Sequence, residues 1–248
     1  FVSQIIEQDN AALASRDQKS REVSKEMQDK WKQAIDALRK SHLKKQGNPL
    51  YVLPWYMMIG KSGTGKTTAI QSADLSSSFA EVGNVSGISG TRNCDWWFFE
   101  QAILIDTAGR YAVPVDDQKD SEEWQKFLSL LAKYRKKEPL NGLIVTVSAD
   151  SLNDTDAENL ERYGRDIRKR IDELMRVLGA KFPVYVMVTK CDLIQGMTQF
   201  CDGLDKDALD QTMGMINHHN EKDLLTVVSD CFKTMGERIR DHRLLMMQ

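Results

Sequence analysis

Gly60-Lys61-Ser62-Gly63-Thr64-Gly65-Lys66-Thr67 spells the pattern G-x-x-x-x-G-K-[ST], and both of its flanks suit it. The apolar run Trp55 to Ile59 ahead of it predicts a buried strand, and the run Lys66 to Leu75 behind it predicts a helix. Strand, glycine-rich turn and helix in that order make a phosphate-binding loop. Glycines at 60, 63 and 65 let the backbone turn tightly, so that successive N–H groups and the new helix's N-terminus converge on phosphate oxygens. Lys66 is expected to reach the terminal phosphates and Thr67 to place its hydroxyl on Mg²⁺. A glycine-rich turn spelling the pattern by coincidence is the plain alternative, and it explains neither flank. The expected nucleotide contacts are Gly60, Lys61, Ser62, Gly63, Thr64, Gly65, Lys66, Thr67 and Thr68.

A second signal lies downstream. Ile103-Leu104-Ile105-Asp106-Thr107-Ala108-Gly109 is an apolar strand ending in Asp-x-x-Gly. Across from a phosphate loop, Asp106 can hold Mg²⁺ directly or through water, and Gly109 lets a backbone N–H approach the γ-phosphate. Position 110 is Arg rather than a water-positioning Gln, so unaided hydrolysis is expected to be slow. Arg110 either stabilises phosphate charge or forms an ion pair at the surface. Thr91 is the one threonine between the loop helix and the next strand, which makes it the candidate Mg²⁺-sensing residue. Lys66, Thr91 and Arg110 are thus the candidate catalytic residues, and Thr67 and Asp106 the candidate metal ligands.

A third signal, Thr189-Lys190-Cys191-Asp192, follows the apolar run Pro183 to Thr189. Its form suits base reading, Asp192 accepting two hydrogen bonds from guanine and the Lys190 stem covering the ring. It sits where ligands sit in such sheets, beyond a strand's carboxyl end. A polar turn with Asp192 as a helix cap is the alternative.

Composition limits the remaining choices. A chain of 248 residues suits one α/β domain with helical additions, or two small domains. Its net charge of −2, with acids and bases interleaved, gives no nucleic-acid surface. Cys94, Cys191, Cys201 and Cys231 form no Cys-x-x-Cys pair and read as reduced thiols of a cytosolic compartment. The histidines show no metal spacing, and adjacent His218 and His219 read as solvated. No apolar run is long enough to span a bilayer. A chain beginning at Phe1 without methionine is expected to be a piece of a longer protein, whose own membrane spans it does not report.

Along the chain, Val23, Met27, Trp31, Ile35 and Leu38 recur at helical spacing and predict an amphipathic helix ended by Gly47-Asn48-Pro49. Cys94 to Phe99 and Ala102 to Asp106 predict two strands so close that they must form an antiparallel hairpin. Aromatics on both faces of the first, Trp96-Trp97-Phe98-Phe99, predict core packing. Then come a helix over Ser121 to Lys137 with Ser121 as N-cap, a strand over Gly142 to Ser148, a helix over Asp156 to Leu178 and the last strand. Apolar strands between amphipathic helices predict a mostly parallel sheet with helices on both faces. A closing helix carries Leu225, Val228, Phe232, Met235 and Ile239 in approximate register.

Several of these stretches together resemble the IcmF/TssM family. They are Leu53-Pro54-Trp55-Tyr56, the phosphate loop, Gly90-Thr91-Arg92-Asn93-Cys94-Asp95-Trp96-Trp97-Phe98 and Leu104 through Tyr111. Asn141 to Ser148 and Phe182 to Leu193 match as well. The resemblance covers about Leu53 to Gly196, and Thr-Arg-Asn-Cys-Asp-Trp-Trp is its most specific part. It implies a cytoplasmic NTPase-like domain of a large inner-membrane protein of bacterial type VI or type IVB (Dot/Icm-like) secretion. It also implies membrane segments outside this fragment, and work beside a small inner-membrane partner of the DotU/TssL type and other apparatus components. Some family members lack an intact loop, whereas this chain keeps it.

The expected architecture is therefore an α/β P-loop NTPase, a Ras-like G domain over residues 51–197. A helical extension over 1–50 precedes it, and a helical segment over 198–248 follows. The expected ligands are GTP or ATP with Mg²⁺, and no nucleic acid. A signal-recognition-type GTPase is an alternative, opposed by the tight hairpin ahead of Asp106. A scaffold with a vestigial pocket is another.

Overall fold

The computed structural model describes residues 22–73, 75–76, 94–152, 157–209, 213–217 and 223–246. The chain divides into two compact units, Phe1–Cys191 and Asp192–Gln248. Thr91 and the His218-His219 pair lie outside the described residues.

The first unit is an α/β layer structure around a five-stranded sheet. Helix α1 (residues 22–40) leads into a 3-10 turn, His42–Lys45, and the short α2, Pro49–Val52. There follow β1 (Trp55–Ile59), α3 (Lys66–Ser72), β2 (Cys94–Phe98), β3 (Ile103–Thr107), α4 (Gly109–Ala112) and α5 (Asp117–Tyr134). The rest is β4 (Gly142–Ser148), α6 (Ala149–Leu152), α7 (Ala157–Leu178) and β5 (Val184–Thr189). The strand order is β2-β3-β1-β4-β5. β1 runs parallel to β3 and β4, and β4 parallel to β5. β2 and β3 are antiparallel because only a tight turn joins them, with Phe99 N–H donating to Ala102 C=O (2.9 Å).

Over β1 to β4 both faces of the sheet are covered, as continuous apolar strands require. On one face Trp55, Met57, Trp96, Phe98, Ile103 and Ile105 pack with α1, α5 and α7. The α1 stripe supplies Met27, Trp31, Ile35 and Leu38, all buried. Trp31 meets Trp96 edge-on (4.8 Å between centroids) and stacks on Tyr134 (5.8 Å). Burying side chains of this size stabilises the fold by roughly 1.5–3 kcal/mol each, enough to hold α1 on the sheet. On the other face Met58, Trp97, Phe99 and Leu104 pack with Ile70 of α3. The four aromatics of residues 96–99 thus divide between the two cores. β5 is an edge strand, and Val184, Tyr185, Val186 and Val188 are exposed.

Helix ends depart from the sequence reading. α1 stops at residue 40, ahead of Gly47, because Ser41 turns its hydroxyl onto Leu38 C=O and caps the 3-10 turn at Leu43 N–H. α3 ends at Ser72 rather than Leu75. α5 starts at Asp117, not Ser121. Asp116 is its N-cap, accepting from Lys119 N–H (3.2 Å), while the Asp120 carboxylate accepts from the N–H groups of Val115 and Asp116 (2.8 and 3.0 Å). Two reciprocal acidic caps outcompete a serine inside the first turns.

The second unit holds α8 (Met197–Asp202), α9 (Lys206–Leu209) and α10 (Leu224–Met246). Gly196, at φ 84°, makes the left-handed turn into α8. α10 is helical where the sequence reading put a helix, but Leu225, Val228 and Phe232 of its stripe are exposed. Among the described residues no helix is long and apolar enough to cross a membrane.

Candidate nucleotide-binding site

The phosphate-loop motif follows β1, and among the described residues it lies beside Asp106, Gly109, Thr189 and Lys190. Gly60 to Gly65 turn from the central strand β1 into α3, with Gly63 and Gly65 both at φ 79°, a conformation closed to most other residues. The turn is closely walled. A Cβ on Gly60 would stand 2.1 Å from Thr146 Oγ1 and 2.7 Å from Thr146 C=O on β4. A Cβ on Gly109 would stand 2.3 Å from Ser62 N, so the Asp-x-x-Gly segment touches the loop backbone through that missing methyl.

Lys66 folds back over the loop. Its buried ammonium donates to Gly60 C=O (2.9 Å) and Lys61 C=O (3.3 Å). Burial holds its pKa below the ordinary lysine value, and the charge of Asp106 opposes that shift. Thr67 Oγ1 donates to Asp106 Oδ2 across 2.5 Å. A hydroxyl and a carboxylate side by side are hard oxygen donors, the set that suits Mg²⁺. No group of three or more His, Cys, Asp or Glu side chains placed to hold a metal occurs among the described residues. A divalent ion here would therefore draw on Thr67, Asp106 and oxygens of a ligand. Thr68 is exposed on α3, and Lys61, Ser62 and Gly63 are exposed on the loop.

Three side chains that brace the loop complete the site. Thr64 Oγ1 donates to Lys61 C=O (2.9 Å) and lies 3.0 Å from Thr146 Oγ1, which donates to Ile59 C=O (3.2 Å). Thr189 Oγ1 donates to Thr64 C=O across 2.5 Å. The Tyr163 hydroxyl of α7 accepts from Lys61 N–H (3.2 Å) and donates to Thr146 C=O (3.1 Å). Neither Thr146 nor Tyr163 was legible as part of the site. The available signal for Tyr163 was its place on the α7 apolar face with Ile167 and Leu174, ending in a polar atom.

Lys190 sits at φ 54°, a strained left-handed position for a side-chain-bearing residue, with its stem 4.0 Å from where a Gly65 Cβ would be. Its ammonium pairs with Asp150 (3.5 Å). Asp192 falls in the second unit, exposed in the 3-10 turn Cys191–Leu193 that follows β5. Arg110 forms ion pairs with α5. Its guanidinium bonds Glu123 (2.7 Å) and Asp120 (3.3 Å), two buried carboxylates of α5, rather than surface acids.

The family model of the IcmF-related N-terminal domain matches residues 117–248, more than half of the chain. The chain belongs to the IcmF/TssM family. It is also 44% identical over 171 residues to the type VI secretion system component TssM1 of Pseudomonas aeruginosa. That similarity covers 67% of this chain and 15% of the relative, so the chain spans a small part of its relative's length. Within the IcmF/TssM chain, the matched segment runs from α5 through the second unit. The phosphate loop precedes it, so the reading of that loop rests on its own geometry.

Proposed function

We propose that this chain binds a nucleoside triphosphate, GTP or ATP, with Mg²⁺, as a Ras-like P-loop domain of a secretion-apparatus protein. The observation that carries this reading is the buried Lys66 ammonium, folded over the loop carbonyls beside the Thr67–Asp106 pair. A desolvated cation next to backbone amides at a helix start is an anion site in waiting. The strand order, with one antiparallel edge strand ahead of Asp106, supports the G-domain assignment. Lys66 and the loop amides hold the phosphates, Thr67 and Asp106 hold the metal, Gly109 faces the terminal phosphate, and Thr189 and Lys190 serve the base side. Mg²⁺, when bound, neutralises phosphate charge.

The role is that of a structural element more than a moving switch. The segment after Gly109 is tied to α5 by Arg110 and by Tyr111, which is buried against Trp124 and Phe127. Its place is the cytoplasmic face of the bacterial inner membrane, in a type VI or type IVB apparatus. Its partners there are a small inner-membrane protein of the DotU/TssL type and other apparatus components.

Calorimetric titration of Mg-GTP and Mg-ATP into the wild type and Lys66→Ala tests the reading. Saturable binding that the variant weakens about a hundredfold supports it. No binding by either protein removes it. Copurification with the small inner-membrane protein tests the partner.

A further inference from the structure

We infer that Tyr163 of α7 is a positioning residue for nucleotide binding, its hydroxyl fixing the entry of the phosphate loop; this rests on the reading above. The loop changes direction within Gly60, Lys61 and Ser62, and a backbone left loose there would carry every later amide with it. Thr64 is braced by Thr146 and Thr189, and α3 fixes the exit. At the entry, the side-chain contact on a loop N–H comes from Tyr163. Its hydroxyl stands between Lys61 N–H and Thr146 C=O, using a donor and an acceptor at once, 102 residues along the chain from the loop.

A phenol does this where a smaller residue cannot. The ring is half-buried at the end of the α7 stripe, so the hydroxyl's direction is set by packing rather than by a mobile chain. Burial also raises the Tyr163 pKa, keeping the proton that Thr146 C=O accepts. The Lys61 amide is thereby held against β4, leaving Ser62 to lie under Gly109. Pre-organised donors bind an anion more tightly than donors that must be ordered on binding.

Tyr163→Phe removes the oxygen and keeps the ring. Mg-GTP, Mg-ATP and inorganic tripolyphosphate are titrated into wild type, Tyr163→Phe, Lys66→Ala and Ile167→Val, the last a packing control one turn along α7. Amide hydrogen exchange at Lys61 is read in the nucleotide-free proteins. The expected result for Tyr163→Phe is a Kd raised about tenfold by the same factor for all three ligands, with unchanged stoichiometry and faster Lys61 exchange. A merely structural role would lower the binding-competent fraction, as expected of Ile167→Val, and leave Kd alone. Unchanged Kd in Tyr163→Phe, alongside weakened binding in Lys66→Ala, overturns this inference and leaves the nucleotide reading standing. A wild type that binds none of the three ligands overturns both.

Discussion

Asp95 on β2 stands directly opposite Asp106 on β3, both carboxylates are buried, and the ammonium of Lys30 from α1 reaches Asp95 across 3.3 Å. Paired residues of antiparallel strands share a face, so two acids neighbour each other beside the phosphate loop and one carries its own counter-charge. That arrangement links α1 to the loop by charge as well as by the Trp31 packing. Lys30→Ala leaves Asp95 buried without its cation and is expected to cost about 2 kcal/mol, below the full buried-pair value because Lys30 is partly exposed. Asp95→Asn introduced into Lys30→Ala should recover most of that loss. A double-mutant cycle by urea unfolding checks it; additive effects refute the coupling.

Lys66 gives a pH dependence with a definite sign. Its pKa in the free protein lies below the ordinary 10.5, because burial disfavours the ammonium. A bound polyphosphate favours the ammonium, so binding takes up a proton between that lowered pKa and the bound-state value. Affinity is therefore full below the free-protein pKa and falls as pH rises through it, beginning short of 10.5. Titration calorimetry across alkaline pH should show that fall in the wild type, and a flatter profile in Lys66→Ala, whose binding is weaker by about 3 kcal/mol.

Gly109→Ala tests the contact between Asp-x-x-Gly and the loop. The new methyl meets Ser62 backbone at 2.3 Å, and backbone cannot swing aside as a flexible side chain can. The expected cost is about 1–3 kcal/mol in thermal unfolding, with weaker nucleotide binding in the folded fraction. A variant matching the wild type in both would show that the two segments separate easily.

The cysteines should divide by reactivity. Burial raises the Cys94 thiol to about 12, whereas Cys191, Cys201 and Cys231 are partly accessible. Ellman's reagent at mild alkaline pH should titrate three thiols in the native protein and the fourth only on unfolding. Because the folded pKa is raised, this thiol's contribution to stability is complete below about 9 and is lost as pH climbs from there towards about 12. Rapid labelling of Cys94 in the native state would contradict its burial.

The sequence motif assigns Asp192 to base reading, and one substitution tests that expectation. Asp192→Asn should shift preference from guanine towards xanthine nucleotides, since the carboxylate accepts two hydrogen bonds that an amide cannot both accept. Competition binding with GTP, ATP and XTP reads this directly. Unchanged selectivity would make Asp192 a turn residue only.

Much of this was written in the chain, and the reason is local physics. The loop glycines, the helix that follows, the β2–β3 hairpin and the α1 stripe each depend on neighbours a few residues away, so period and spacing identify them. Helix starts were less legible: Asp116 and Asp120 cap α5 because the preceding chain brings Val115 N–H within reach, which no propensity encodes. The bracing of the loop was not legible at all. Thr146, Tyr163 and Thr189 arrive from β4, α7 and β5, and whether a hydroxyl meets Lys61 or Thr64 depends on strand order and helix rotation. Arg110 shows the same limit, since its carboxylate partners face it only after α5 has packed. Sequence alone determined where the glycine-rich turn between β1 and α3 falls; tertiary structure decided which distant side chains hold that backbone still, because hydrogen bonds of about 3 Å need positions that only packing supplies.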